Sequence, residues 1–201
     1  MRSLRAYRLG VGDGFQPAGR AAAPPPLDLV QDFVNTEIPE WARDDVATPE
    51  LLAGWLRDRG LLAPEEQVGG DDFVAARELR SGLRILAFLN TTGETAGDEL
   101  QARLTSAFSA CELRVEADAT GRLVPVPAGP PGRRALAAIA AIVLDAQAAG
   151  TWQRLKACRK ESCGWLFYDG SRNRSSIWCS MSICGNRMKT ASYRRRRASA
   201  S

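Results

Sequence analysis

Four cysteines form two pairs of identical spacing, Cys158-x4-Cys163 and Cys179-x4-Cys184, in the most basic stretch of the chain. Thiolates favour tetrahedral zinc, and four of them complete the first coordination shell of the metal. A closed shell leaves no position for an activated water. The spacing therefore predicts one structural Zn²⁺ held by all four thiolates. Disulfides, which need an oxidising compartment, and a redox or iron–sulfur role are the alternatives.

Positive charge is concentrated at the same end of the chain. Residues 1–150 carry 15 Lys and Arg against 21 Asp and Glu, a net charge of −6. Residues 151–201 carry 12 against two, a net charge of +10, which four thiolates on one zinc would lower to +8. This asymmetry is typical of a segment that binds a polyanion, with a solvated basic tail as the alternative.

The cysteine pairs need a local framework that brings them to one metal. Residues 154–157 and 164–168 are predicted to form two short strands around the first pair, followed by a turn at Asp169-Gly170. In a continuous helix Cys179 and Cys184 would lie about 140° apart. Both can bind one ion only if Cys179 precedes a helix that starts near residues 180–182 and runs to about residue 194. The result is a small α+β, treble-clef-like zinc finger.

The preceding residues indicate a mainly α domain with a small β-hairpin. Apolar periodicity and capping signals predict helices from Leu27, from Thr48-Pro49, from Asp71 or Asp72, from Gly97 to about Cys111 and from Arg133 to Ala149. Alternating apolar residues around Ala119-Thr120-Gly121 predict the hairpin. The predicted division is a disordered segment at 1–26, a helical regulatory or dimerisation domain at 27–150, the finger at 151–197 and a disordered tail at 198–201.

The sequence does not favour an enzyme or a membrane protein. It contains no histidine, which removes the commonest general base near neutral pH and the commonest nitrogen ligand of a catalytic zinc. No run approaches the ~18 apolar residues that span a bilayer. Basic residues near the N-terminus are followed by Gly10, Gly12 and Gly14 instead of the apolar stretch of a signal peptide. We therefore predict a cytoplasmic protein with reduced cysteines.

Residues 152–197 closely resemble the CGNR zinc-finger family of bacterial transcription regulators. The resemblance is carried by Cys158, Cys163, Gly164-Trp165-Leu166-Phe167, Asp169, Ser171-Arg172-Asn173-Arg174, Trp178-Cys179-Ser180-Met181, Cys184-Gly185-Asn186-Arg187 and Lys189. The N-terminal part resembles the helical, stress-induced regulatory domain usually joined to this finger, through Asp32-Phe33-Val34-Asn35-Thr36 and the stretch from Leu51 to Leu61. The resemblance implies a zinc-dependent, DNA-binding transcription regulator whose N-terminal domain senses a small-molecule effector or forms a homodimer.

Polar residues of the finger are the candidate nucleic-acid contacts. They are Arg172 and Arg174 between the cysteine pairs, and Asn186, Arg187, Lys189, Arg194, Arg195, Arg196 and Arg197 on or after the last helix. Phosphate contacts would dominate affinity and make it salt-dependent. Base readout would come from Asn186, Arg187 or Thr190, near the start of the helix. The last four arginines are predicted to be a flexible phosphate-binding tail.

Each of these assignments has a structural alternative. Gly185 and Asn186 could shape the metal loop, and Asp169 could order its loop by pairing with Arg172 or Arg174. The aromatic residues of the finger, Trp165, Phe167 and Trp178, are predicted to form its small core instead of stacking on bases. For the whole protein the alternatives are an RNA-binding or ribosome-associated zinc protein and a zinc-stabilised protein-interaction module.

Overall fold

A computed structural model of the chain describes residues 15–190. Its α-helices are α1 (Leu27–Asn35), α2 (Pro49–Asp58), α3 (Gly70–Thr92), α4 (Asp98–Phe108) and α5 (Pro131–Ala148). Its strands form three antiparallel pairs: β1 (Glu37–Ile38) with β2 (Arg43–Asp44), β3 (Leu113–Ala117) with β4 (Leu123–Pro127), and β5 (Leu155–Ala157) with β6 (Leu166–Tyr168). The predicted class, a mainly helical part with a small hairpin followed by a small α+β finger, is confirmed.

Helix starts follow local capping chemistry, with one correction. α2 begins as predicted, because the Thr48 hydroxyl accepts a hydrogen bond from the Leu51 amide at 3.3 Å. α3 was expected to be capped by Asp71 or Asp72, but its N-cap is Gly69. Asp72 is the third helical residue, and its carboxylate accepts from the Gly69 amide at 3.0 Å. A carboxylate at the third helical position can accept from the amide of the N-cap residue. Asp72 therefore stabilises the start of α3 from within its first turn and is not itself the N-cap.

The main core lies between α1, α3 and α5. Its central side chains include Phe33, Leu79, Leu83, Leu136 and Ile139, all fully buried. Trp152, Leu155 and Leu166, which belong to the region predicted to be the finger, are buried in the same cluster. The β5–β6 hairpin therefore packs as part of the main core. Within residues 15–190, no helix combines the length and the apolar character that crossing a bilayer requires.

A buried arginine attaches the β1–β2 hairpin to α3. Arg80 is only 2% exposed, and its guanidinium donates to both carboxylate oxygens of Asp44 at 2.7 and 2.6 Å. It also donates to the Thr36 hydroxyl at 3.0 Å. Burial disfavours the ionised form of Asp44, but the hydrogen bonds and charge of Arg80 outweigh it and lower the pKa of this carboxyl. The bidentate pair therefore fixes the hairpin against α3.

Residues 15–26 have defined contacts, although their composition predicts disorder. The Arg20 guanidinium donates to the carbonyl oxygens of Tyr168, Trp178 and Cys179 at 3.2–3.3 Å. It also lies over the Phe167 ring, 4.6 Å from the centroid. The Ala23 amide donates to the side chain of Gln31 in α1 at 2.7 Å. This segment therefore runs across the finger and into the helical part, an arrangement that only tertiary contacts define.

Candidate metal centre

The four predicted ligands converge in the structure. Cys158, Cys163, Cys179 and Cys184 are all buried, and their sulfur atoms lie within 4.8 Å of one another. The Cys163–Cys179 and Cys179–Cys184 sulfur distances are 3.8 and 3.6 Å, and none of these cysteines is disulfide-bonded. A zinc–sulfur bond of about 2.3 Å makes the edge of a regular tetrahedron about 3.8 Å. The donor set fits one structural Zn²⁺, as predicted, and these sulfur separations are longer than the ~2.05 Å of a disulfide bond.

The first cysteine pair lies at the tip of the β5–β6 hairpin. The Cys158 amide donates to the Trp165 carbonyl at 2.9 Å, and the Cys163 amide donates to the Lys160 carbonyl at 2.8 Å. Gly164 follows with φ +59°, the left-handed region that favours glycine. A Cβ there would also lie 3.0 Å from Cδ of Arg84, whose Nε donates to the Gly164 carbonyl at 3.2 Å. Glycine at this position thus allows both the turn and the close approach of α3.

The second pair is positioned by a helix start, as the spacing requires. Cys179 precedes a π-helical turn, Met181–Gly185, and residues 186–190 continue as α-helix. Ser180 caps this final helix, because its hydroxyl accepts from the Ile183 amide at 3.3 Å. The Cys184 amide donates to the Ser180 carbonyl at 3.0 Å, which places the second thiol within the first turn. The predicted order of one ligand before the helix and one in its first turn is present.

A small apolar core surrounds the cysteines. Trp165 and Phe167 are buried, Trp178 is half-buried, and Ile38 from the β1–β2 hairpin joins them. The Arg159 amide donates to the Ile177 carbonyl at 2.9 Å and ties the two cysteine segments together. The aromatic residues therefore occupy the core, as predicted. A finger this small gains the rest of its stability from the metal and from its neighbours.

The loop that carries Arg172 and Arg174 is built around a buried ion pair. Asp169 accepts from Lys156 Nζ at 3.0 Å, and both side chains are nearly inaccessible, at 0% and 5% exposure. Asp169 also accepts from the hydroxyl of Ser171 at 2.6 Å and from the amide of Ser176 at 2.9 Å. Burial disfavours ionisation, but these hydrogen bonds outweigh it and hold the pKa of Asp169 well below its usual range. Asp169 orders the loop as expected, but through Lys156.

The same lysine also binds the backbone of the loop at Arg174. Lys156 Nζ donates to the backbone carbonyls of Arg174 and Ser176. Arg174 has φ +49°, an uncommon conformation for a residue with a side chain, and its guanidinium is exposed. Arg172 is exposed on the same loop. The backbone is thus held from inside while two guanidinium groups face solvent.

The candidate contacts on the final helix form a second group. Asn186, Arg187 and Lys189 are all exposed. Arg187 forms an ion pair with Glu40 at 3.2 Å, and Glu40 also pairs with Lys160. An acidic residue of the turn between β1 and β2 therefore partly neutralises this end of the finger. The remaining predicted contacts, Arg194, Arg195, Arg196 and Arg197, lie outside the described residues.

Side-chain amides and hydroxyls close the outer edges of the β5–β6 hairpin. On β6, Asn35 accepts from the Leu166 amide at 2.8 Å and donates to its carbonyl at 2.9 Å. On β5, Asn90 donates to the Leu155 carbonyl at 2.8 Å, and Thr91 donates to the Ala157 carbonyl at 2.7 Å. Sequence reasoning missed these roles. The only available signal was that polar residues interrupt the apolar ends of α1 and α3, which also looks like a helix terminus.

Comparison with protein families agrees with this geometry. The sequence model of the ABATE family, described as "Putative stress-induced transcription regulator", matches residues 27–150, more than half of the chain. The chain belongs to this family. A second model, the CGNR zinc finger, matches residues 154–197 and includes all four cysteines. No curated protein matches the chain significantly. The protein is thus an ABATE-family member with a zinc-binding CGNR finger, and neither family is one of enzymes.

A cavity lies in the ABATE part, away from the metal. It has a volume of 340 Å³ and lies between α3, α4, α5 and β3. Its lining is mostly apolar and includes Leu86, Leu104, Phe108, Cys111, Leu113 and Val143. Burial raises the pKa of the Cys111 thiol to about 11, so this fifth cysteine stays protonated at neutral pH. Its side chain is half-buried in the cavity wall.

Proposed function

We propose that this protein is a DNA-binding transcription regulator in which the zinc-stabilised finger contacts duplex DNA. The observation that carries the proposal is the solvent-facing pair of guanidinium groups at Arg172 and Arg174, on a backbone that the buried Lys156–Asp169 pair holds in place. A preorganised basic loop loses little conformational entropy when it binds phosphates. Asn186, Arg187 and Lys189 on the final helix are the proposed second set of contacts, together with the arginines at 194–197.

The charge balance of the finger supports a polyanionic partner. Residues 151–190 carry eight Lys and Arg, but only two acidic residues, Glu161 and Asp169. Asp169 is buried against Lys156, so Glu161 is the one carboxylate that the finger presents to solvent within the described residues. The surface field is therefore positive even after four thiolates bind zinc. Such a field increases both the affinity for nucleic acid and the rate of association.

The burial of the aromatic residues favours duplex DNA over single-stranded nucleic acid. Trp165 and Phe167 are 4% and 0% exposed, so neither offers a face on which an unpaired base could stack. Sequence-specific RNA binding usually relies on such stacking in loops and single strands. Competition between duplex DNA and structured RNA at matched salt distinguishes the two functions. Preferential retention of RNA would favour the ribosome-associated alternative.

The cavity in the ABATE part supports a second element of the proposal, the binding of a small effector. Its volume of 340 Å³ lies at the lower end of the range for small-molecule sites, and its mostly apolar lining suits an apolar ligand. Thr105 lies at its rim and is exposed, so Thr105→Trp should close the entrance without disturbing the core. A ligand that changes DNA affinity in the original protein and not in this variant would support effector binding. A broad metabolite screen without effect would count against it.

DNA binding is tested by selecting bound fragments from genomic DNA with zinc-loaded protein. A variant with Arg172→Ala and Arg174→Asn removes both charges, and asparagine tolerates the left-handed backbone at 174. Arg122→Gln, in the distant β3–β4 turn, is the control that removes a positive charge without touching the finger. We expect enrichment of a discrete motif that the double variant loses and the control retains. Equal enrichment by the double variant would contradict the assignment of this loop.

A further inference from the structure

The outer edge of β3 carries backbone amide and carbonyl groups that pair with no other strand of the described residues. Flanking hydrogen bonds join Ala128 to Glu112 and Asp118 to Arg122, both at 2.9 Å, so the even-numbered residues of β3 face β4. Leu113, Val115 and Ala117 therefore direct their amide and carbonyl groups away from β4. Among residues 15–190 no further strand pairs with this edge. An open strand edge is a template for another strand.

The opposite edge of the same hairpin is protected. β4 carries Pro125 and Pro127 at the positions whose amides would point outward, so this edge lacks two donors. Proline on an edge is a common device against strand addition. The hairpin thus blocks one edge and leaves the other open, which is the arrangement of a directed docking site.

The open edge is also apolar and exposed. Val115 is 71% exposed and Leu123, which lies on the same face of the hairpin, is 69% exposed. Both are among the most exposed large apolar residues of the described chain. A strand added to β3 would lie directly beside Val115, and removing the Val115 side chain from water would add to the free energy gained by strand pairing.

The sequence of β3 identifies the partner by its charge pattern. We propose that β3 pairs antiparallel with β3 of a second copy of this chain, about a two-fold axis at Val115. This register places Leu113 opposite Ala117 of the partner, and Arg114 opposite Glu116 of the partner. Both charged side chains are exposed. A two-fold axis generates each Arg–Glu pair twice, so the strand is complementary to itself.

The geometry of this register is favourable at each position. Val115 and the two Leu113–Ala117 combinations are hydrogen-bonded pairs, and each exchanges two backbone hydrogen bonds across the axis. Arg114 and Glu116 occupy non-hydrogen-bonded positions, where facing side chains approach most closely. The result is a continuous four-stranded sheet in the order β4-β3-β3-β4. Leu113 also lines the apolar cavity, so an occupant of the cavity would contact the strand that forms the dimer.

The test is the mass in solution, measured by sedimentation in a dilution series without DNA. We expect a dimer of the 21.8 kDa chain that dissociates on dilution. Arg114→Glu and Glu116→Arg each replace attraction by repulsion in both symmetry-related pairs, and each should raise the dissociation constant about tenfold or more. The double variant, Arg114→Glu with Glu116→Arg, restores the opposition of charge and should restore the dimer.

A single proline substitution in β3 provides an independent check. Val115→Pro removes an outward-facing amide and no hydrogen bond to β4, so it should abolish the dimer while circular dichroism shows an intact fold. A monomer at all concentrations, or a dimer unaffected by Val115→Pro and by both charge reversals, would overturn the proposal. The β3–β3 dimer goes beyond the proposed function and would give a structure to the homodimer expected from the sequence. Because the measurement contains no DNA, its outcome is independent of the DNA-binding assignment.

Discussion

The hairpins β5–β6 and β3–β4 have the same antiparallel topology and opposite surroundings. β5 and β6 are three residues long, and nearly all of their residues are buried. β3 and β4 are five residues long, and none of their residues is fully buried. Strand length therefore does not determine which hairpin is more firmly held. The shorter pair has zinc ligands at its tip and side chains along both edges, whereas the longer pair has one open edge.

Shared packing makes the finger part of the main fold. Leu155 and Leu166 lie in the core shared with α1, α3 and α5, and Asn35 and Asn90 bond directly to the strands. Because of these contacts, we expect a change at the metal to alter the stability of the helices as well. The exposed hairpin has fewer contacts of this kind, which leaves it available for a partner.

Zinc removal should produce the largest effect. Structural zinc in finger peptides contributes about 10 kcal/mol or more, comparable to the whole stability of a domain. We expect a chelator, or Cys184→Ser, to lower the melting temperature of the entire chain in thermal unfolding followed by circular dichroism. Cys111→Ser is the matched control and should cost about 1 kcal/mol or less. Loss of the finger with the helical signal unchanged would show that the two parts fold separately.

Asp169→Asn should produce the next largest effect. It leaves Lys156 buried without a counter-charge, which costs about 3–5 kcal/mol at neutral pH. The folded-state pKa of Asp169 lies below the unfolded value of about 3.9, so the ionised pair stabilises the fold above that pH and less as pH falls. In urea unfolding, the difference in the free energy of unfolding between the original protein and Asp169→Asn should therefore shrink below pH ~4.

Asp118→Asn is the counterpart in the exposed hairpin and serves as the control. Asp118 accepts from the amide and hydroxyl of Thr120, and these hydrogen bonds lower its pKa. It lies in an exposed turn, so water screens and replaces its interactions. We expect a much smaller loss of stability than for Asp169→Asn. Equal losses would contradict the contrast between the two hairpins.

Asn35→Ala tests the closure of the β6 edge. The Leu166 carbonyl keeps a hydrogen bond from Gln31 at 3.1 Å, whereas the Leu166 amide loses its acceptor. One buried unsatisfied amide costs about 1–3 kcal/mol. Denaturant unfolding should show that loss, and amide exchange at Leu166 should accelerate more than exchange in α5. Asn173→Ala, on the exposed loop, should change neither measurement.

Leu123→Ser should have the smallest effect on the stability of the monomer. Its side chain is 69% exposed, so its replacement removes little buried apolar area. We expect a change of less than about 0.5 kcal/mol in the free energy of unfolding at high dilution, measured with urea. A loss of several kcal/mol would mean that the β3–β4 hairpin is held as firmly as β5–β6.

Elements that depend on neighbouring residues could be predicted from the sequence. The cysteine spacing identified the zinc ligands, because a metal accepts only certain donors at certain separations. Thr48 and Pro49 marked the start of α2, and the alternation around residues 119–121 marked the exposed hairpin. Each of these signals is local, since helix caps, turns and metal spacing act within a few residues.

The way these elements join depends on long-range contacts that form only in the folded chain. Asn35 lies 131 residues from Leu166, and Arg20 lies 159 residues from Cys179, separations at which sequence patterns carry no information on pairing. The pairing of Asp169 with Lys156 also depended on which side of β5 faces the loop. Buried polar groups must find partners, but the fold determines which partner is within reach. For that reason the metal site was visible in the sequence, and the way the finger joins the helices was not.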